Sequence, residues 1–426
     1  MKMYQYPSKD QWAELTQRPV LQKQEISETI ANIFSLVETN GDAALLELSK
    51  KFDAEINNIS VSKEEIERAY EMINEDLKKA IQQAKENISV FHASQKEEVQ
   101  KIETTKEVIC WRESRAIEKV GIYIPGGTAP LFSTVLMLAV PAQLAGCKEI
   151  VLCTPPDKNG NINPAILYAA QLCGVTQLFK VGGAQAIAAM TLGTESIPQV
   201  YKIFGPGNQY VVAAKEYAQQ YGVSIDMPAG PSEVLVIADE KAVPSFCAAD
   251  LLSQAEHGSD SQVIFLTTSL SVLNETIREI DEQIKLLPRN EMAQQSLSNS
   301  HFILLDTIEK AIEFSNLYAP EHLILATENF EKYIPDIQNA GSVFLGNYSC
   351  ESAGDYVSGT NHTLPTNGFA KNYSGVSLDS FVKKITFQYV SKKGLKNLGK
   401  TIEIMAQAEG LAAHKNAVTI RLKKNI

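Results

Sequence analysis

From about residue 118 the chain alternates short apolar strands with helices, and Gly-rich turns follow the strands. Val120-Gly121-Ile122-Tyr123-Ile124 reads as a strand, Pro125-Gly126-Gly127 as the turn after it, and a long apolar helix follows. Strands at 150–153 and 178–181 and helices at 165–172 and 184–190 continue the pattern, with Gly182-Gly183 between the last strand and helix. Tyr201-Lys202-Ile203-Phe204 then runs into Gly205-Pro206-Gly207-Asn208 and another helix. Such alternation predicts an α/β fold with mostly parallel sheets. A second series begins at Ser232. It has strands at 234–237, 263–266, 301–305, 322–325 and 342–345, with helices at 243–257 and 273–287. Two α/β domains are expected.

The flanks read differently. The N-terminal part reads helical, and Ser62-Lys63-Glu64-Glu65 is a capping box with Val61 and Ile66 placed as a hydrophobic staple. Ile66, Ala69, Met72 and Ile73 form the apolar face of the helix it starts. A polar loop at 354–368 is followed by helical segments and an expected last strand at 417–422, a tail suited to packing on another domain or subunit.

At 426 residues the chain is long for one core. Its net charge of -11 argues against nucleic acid as the main partner. The start, MKMYQYPSKDQW, has no apolar signal core, and the six cysteines form no CxxC pair, so buried thiols in a reducing cytoplasm are expected. Residues 126–147 carry no charge, but Pro130, Pro141 and Gln143 interrupt them, so a buried helix is expected rather than a membrane span.

Four of the six histidines lie in polar, Gly-rich surroundings. Gln254 and His257 are three apart on one expected helix, a spacing suited to a metal, although His257 can equally be a helix cap. Glu321-His322 precedes a strand and offers a carboxylate and an imidazole for acid–base work, or simply a surface acid and a packed histidine. Asp355 and His362 fall in a donor-rich loop that is costly to order unless it binds something. Glu409 and His414, five apart, suit opposite ends of a turn, and His92 and His301 read as packing or surface residues. The three glycine turns at strand exits suit a nucleotide or another anion.

Several motifs, in order, resemble the histidinol dehydrogenases. The longest is Ile225-Asp226-Met227-Pro228-Ala229-Gly230-Pro231-Ser232-Glu233-Val234, continuing through Ala249-Asp250-Leu251-Leu252-Ser253-Gln254-Ala255-Glu256-His257. Phe204-Gly205-Pro206-Gly207-Asn208, Ala319-Pro320-Glu321-His322, Ser358-Gly359-Thr360-Asn361-His362 and Ala413-His414-Lys415-Asn416-Ala417-Val418 agree as well, while Ala116 replaces a common proline.

The resemblance implies zinc-dependent oxidation of L-histidinol to L-histidine through L-histidinaldehyde, with NAD as oxidant in both steps. It implies zinc on Gln254, His257, Asp355 and His414, which also contact substrate, as do Ser232, His362 and Glu409. His322 would be the base, and Glu321 would activate water. Tyr123, Gln185 and Asn208 would contact NAD. It further implies two related incomplete Rossmann-like domains in a cytoplasmic homodimer that exchanges its C-terminal tails. The segments would be 1–17, a first domain of 18–123 with 232–375, an inserted domain of 124–231 and a tail of 376–426. Competing readings are a dehydrogenase of another small amino or hydroxy alcohol, a zinc hydrolase, and a scaffold with structural zinc. The absence of HExxH and the glycine turns weigh against the hydrolase, and the mixed Gln/His/Asp set against the scaffold.

Overall fold

The computed structural model describes residues 1–18, 24–126 and 129–424, so Gly127 of the first expected turn lies outside the described residues. The strand β1 (Lys2–Gln5) precedes the helices α1 (Lys9–Leu15), α2 (Gln24–Phe52), α3 (Lys63–Met72) and α4 (Glu75–Ala93). The strands β2 (Ile102–Thr105) and β3 (Val108–Ala116) follow. Then come β4 (Lys119–Tyr123), α5 (Phe132–Ala145), β5 (Glu149–Cys153), α6 (Pro164–Leu172), β6 (Gln177–Phe179), α7 (Gly183–Leu192), β7 (Lys202–Phe204), α8 (Gln209–Ala218) and β8 (Ser224–Ile225). The next series is β9 (Glu233–Ala238), α9 (Pro244–Ala255), β10 (Gln262–Thr267), α10 (Leu270–Gln283), α11 (Asn290–Ser298) and β11 (His301–Leu304). It continues with α12 (Ile308–Tyr318), β12 (His322–Ala326), β13 (Ser342–Leu345) and α13 (Glu351–Tyr356). The last elements are β14 (Val382–Val390), α14 (Lys392–Ala408) and α15 (Ala412–Lys423).

The chain divides into two units, Met1–Ser94 with Ile117–Phe381, and Gln95–Ala116 with Val382–Ile426. The first unit holds two parallel sheets, ordered β6-β5-β4-β7-β8 and β1-β11-β10-β9-β12-β13. Helices cover parallel sheets on both faces, which is why β9, β10 and β12 are buried along their whole length. In the five-stranded sheet the chain steps outward from β4 and then returns to its far side, and in the six-stranded sheet it does the same from β9. The order reverses between β4 and β7 in one sheet and between β9 and β12 in the other. The helix α5 is buried from Ser133 to Ala142, as expected for the uncharged stretch. No helix among the described residues is long and apolar enough to cross a membrane.

At the N-terminus the helical expectation needs correction. Residues Lys2 to Gln5 extend the six-stranded sheet beside β11. The capping box at Ser62 is present, with Ser62 Oγ accepting from Glu65 N at 3.3 Å and Glu65 Oε2 from Ser62 N at 2.9 Å. Met72, expected on the apolar face, is exposed.

The second unit is a three-stranded antiparallel sheet, β14-β3-β2, with α14 and α15. Two expectations fail here. The tail begins with a strand, β14, and residues 417–422 are helical within α15. The β-branched run suggests a strand, but its half-buried positions are Lys415, Val418, Thr419 and Leu422. That spacing is the period of a helix, and packing on α14 overrides the local propensity. Thr419 Oγ1 also bonds back to Lys415 O at 3.1 Å and to Glu403 on α14.

Candidate functional site

A cavity of about 980 Å³ in the first unit is lined by Ser232, Gln254, His257, Glu321, His322, Asp355 and His362. Gly205, Pro206, Gly207 and Asn208 line it as well. Its polar groups converge on the amino ends of β9 and β12. The ladder between these strands starts with Val234 opposite His322, so the peptide of Glu233 lies just beyond it. Side chains take up the open backbone groups. Glu233 N–H donates to Glu321 Oε2 at 3.0 Å, and His322 Nδ1–H donates to Glu233 O at 3.2 Å. That bond fixes the tautomer and leaves His322 Nε2 buried without a hydrogen-bond partner.

Local backbone geometry aims the pair. Ala319 closes α12 in the left-handed region at φ 55°, an uncommon conformation for a residue with a Cβ. Pro320 then leads into Glu321. A Cβ on Gly341 would lie 2.5 Å from the Glu321 carbonyl oxygen, so only glycine allows Ser342 N to reach that oxygen at 2.9 Å.

Gln254 sits fully buried in the last turn of α9. With its amide turned so that the nitrogen faces the Glu351 carboxylate, its oxygen faces Glu233 N at 3.0 Å and shares that N–H with Glu321. The helix ends at Ala255 with Glu256 as its cap, so His257 lies past the helix rather than on it. Asp355 also departs from expectation, because it lies on the short helix α13 and not in a loop. Glu351 and Asp355 are four apart on that helix and so share a face. His322 Nε2 is 3.6 Å from Asp355 Oδ1, and Nδ1 is 3.7 Å from Glu351 Oε1 and 3.8 Å from Glu321 Oε2. His362 Nδ1–H donates to the Asp355 carbonyl at 2.8 Å, which leaves Nε2 to accept from the Thr134 hydroxyl at 3.0 Å.

Burial dominates the electrostatics. It disfavours charge on His322, but Glu351, Glu321 and Asp355 outweigh it and lift the imidazole to about 10. Burial pushes the Glu321 carboxyl up to about 7 and Glu351 well above its usual value. It acts the same way on Asp355, yet the nearby imidazoles, His322 foremost, hold that carboxyl below its usual value. His257 and His362 are lowered, chiefly by burial.

The other end of the cavity belongs to the five-stranded sheet. Asn208 caps α8, accepting from Tyr210 N at 3.0 Å and Val211 N at 3.2 Å. Gly205 has φ 131°, and a Cβ there would overlap the Tyr123 carbonyl oxygen. Its N–H donates to Asp226 Oδ2 at 2.8 Å, and its carbonyl accepts from Lys215 Nζ at 2.9 Å. Lys215 and Asp226 form a buried ion pair with each other. Tyr123 Oη accepts from Gly183 N at 2.9 Å, and Gln185 is buried in the first turn of α7. Neither is among the described residues that line the cavity. Glu409 caps α14 and His414 lies in the first turn of α15, both exposed in the second unit.

The sequence model of the histidinol dehydrogenases matches residues 16–422. A histidinol dehydrogenase of Bacteroides thetaiotaomicron is 59% identical over 423 residues, 99% of each chain. The chain belongs to the histidinol dehydrogenase family. It is an enzyme, an NAD-dependent oxidoreductase. A histidinol dehydrogenase of Haemophilus influenzae is 51% identical over 424 residues, 99% of this chain and 98% of that one. The crystal structure of histidinol dehydrogenase from Elizabethkingia anophelis matches with a TM-score of 0.98 at 62% identity, covering 99% of this chain and 98% of that one.

Membership in the histidinol dehydrogenases raises the question of zinc. The buried cluster suits a divalent cation. His322, Glu351 and Asp355 offer ligand atoms within 4.8 Å of one another, and the strongest opposite charge acting on the two carboxylates is that of His322. Imidazole nitrogen, carboxylate oxygen and amide oxygen are the donors zinc accepts. Of the expected ligands only Asp355 belongs to that triad, while Gln254 and His257 line the same cavity. Sequence reasoning missed Glu351 and Thr134. The four-residue spacing from Glu351 to Asp355 was the available signal for the first. Nothing local marks Thr134.

Proposed function

We propose that this enzyme oxidises L-histidinol to L-histidine in two hydride transfers to NAD, with L-histidinaldehyde between them. The observation that carries the reading is the buried Glu321–His322 pair held on one peptide, that of Glu233. In the first step the neutral His322 ring, the minor form while the three carboxylates beside it hold a second proton on it, takes the hydroxyl proton on Nε2 as the carbinol hydride leaves. The three surrounding carboxylates stabilise the imidazolium that forms. Glu321, made more basic by burial, then takes a proton from water as its oxygen adds to the aldehyde carbon. The hydrate loses its second hydride with His322 again as base. Each alcohol thus yields a carboxylate and two reduced cofactors.

Zinc held by Gln254, His257, Asp355 and His414 would hold the substrate by its imidazole and amino nitrogens and so position the carbinol for hydride transfer. Ser232, His362 and Glu409 would hold the rest of the substrate. Tyr123, at the end of β4, and Gln185 and Asn208, at helix N-termini that favour phosphate, would contact NAD. Glu409 and His414 would come from a partner subunit through an exchanged tail, so the active form would be a cytoplasmic homodimer. The inserted domain would span 124–231.

NADH formation with L-histidinol tests this, on zinc-loaded protein, after chelation, and after zinc is returned. The expected yield is about two NADH per histidinol, lost on chelation and recovered with zinc. No NADH from zinc-loaded, folded protein would end the substrate assignment.

A further inference from the structure

Arg18 binds at two points that the reactive pair depends on. The Glu233 side chain is buried, and Arg18 grips its carboxylate with Nε to Oε1 at 2.5 Å and Nη2 to Oε2 at 2.8 Å. Asn367 N–H adds a third bond to Oε1 at 2.8 Å. Arg18 Nη2 also donates to the Tyr318 carbonyl at 2.8 Å, and the guanidinium lies 3.9 Å from the Tyr318 ring centre. Tyr318 is anchored in turn, its hydroxyl donating to Gln262 Oε1 at 2.8 Å. Glu233 begins β9 and Tyr318 ends α12, just before the turn that delivers Glu321 and His322. One planar cation therefore ties together the two chain segments whose spacing sets the Glu233 bonds to Glu321 and His322.

We infer that Arg18 is a positioning residue for the Glu321–His322 pair, acting through Glu233 and the 318–321 turn; this rests on the catalytic role proposed for that pair. A lysine has the charge but neither the two-pronged grip nor the stacking plane, so it cannot hold both segments at once. Misplacing a reacting group by about 1 Å costs about 10²-fold in rate.

The test uses the full-length, zinc-loaded protein. Arg18→Met is expected to lower kcat by about 10²-fold while KM for histidinol and for NAD moves less than about threefold, with Arg18→Lys between it and the unsubstituted enzyme. The folded fraction is measured on the same samples. A kcat loss no larger than the folded fraction explains would overturn the inference. Should Arg18→Met fail to fold, Arg18→Met with Glu233→Gln removes both charges of the pair and leaves none buried without its partner, a change that often spares folding. That double variant is expected to fold and remain slow, and full turnover from it would also overturn the inference.

An independent readout is the ¹⁵N spectrum of the histidine side chains, with His322 assigned by its loss in His322→Gln. The His322 ring signals are expected to shift in the Arg18 variants while those of His301 stay in place. Unmoved His322 signals would count against Arg18. If the unsubstituted enzyme makes no NADH from L-histidinol, the substrate reading fails, and these ring signals alone decide the positioning role.

Discussion

In the five-stranded sheet the polar groups gather where strands end. Tyr123 closes β4, Gly182 follows β6, and Gly205 follows β7. In the six-stranded sheet they gather where strands begin, with Glu233 at β9 and His322 at β12. The two ends have opposite electrostatic character. Strand ends feed helix N-termini, whose positive dipole ends favour anions such as a dinucleotide phosphate, with Asn208 Oδ1 and Tyr123 Oη already accepting some of the N–H groups there. Strand beginnings receive helix C-termini, here the last turns of α9 and α12, and this sheet adds Glu321, Glu351 and Asp355. That end favours a cation and a group that accepts a proton. One cavity spans both ends, so a bound oxidant and a proton acceptor can face one substrate.

The comparison can be broken most sharply at His322. His322→Gln should lower turnover by about 10²- to 10⁴-fold, read as NADH formation under saturating substrates. A residual rate within tenfold of the unsubstituted enzyme would move the chemistry elsewhere. Next comes the clamp on the glycine turn. Lys215→Met leaves Asp226 buried beside Gly205 without its cation, and should cost about 3–5 kcal/mol in unfolding free energy. Denaturant titration measures this, and a loss below about 1 kcal/mol would show that the pair does not hold the turn.

The smallest effect concerns Asp53, near Gly182 and part-exposed, whose Oδ2 has no hydrogen-bond partner. Burial pushes this carboxyl up to about 6, from 3.8 when unfolded. The folded state therefore binds this proton more tightly, and the charged form costs stability once pH rises through that window. Partial exposure reduces the cost. Asp53→Asn should raise the unfolding temperature at pH 8 by about 2 °C and leave it unchanged near pH 4. The same gain at both pH values would contradict the assigned cause.

Local signals carried well into the structure. The Ser62 capping box, the glycines after β6 and β7, and the strands at β9 and β12 all followed from short-range pattern. What failed depended on partners distant in the chain. The run at 417–422 has strand propensity but packs as a helix on α14. Residues 2–5 become a strand only because β11 offers an open edge. The role of Glu233 depends on the register between β9 and β12, and its partner Arg18 lies 215 residues away in the chain. No local motif records which end of a strand will face a cavity.

NAD binding measured by calorimetry on His322→Gln and Lys215→Met side by side tests the division between the two sheet ends most directly. The division predicts that His322→Gln binds NAD as tightly as the unsubstituted enzyme while making almost no NADH, and that Lys215→Met binds NAD more weakly. NAD affinity lost in His322→Gln and kept in Lys215→Met would contradict it.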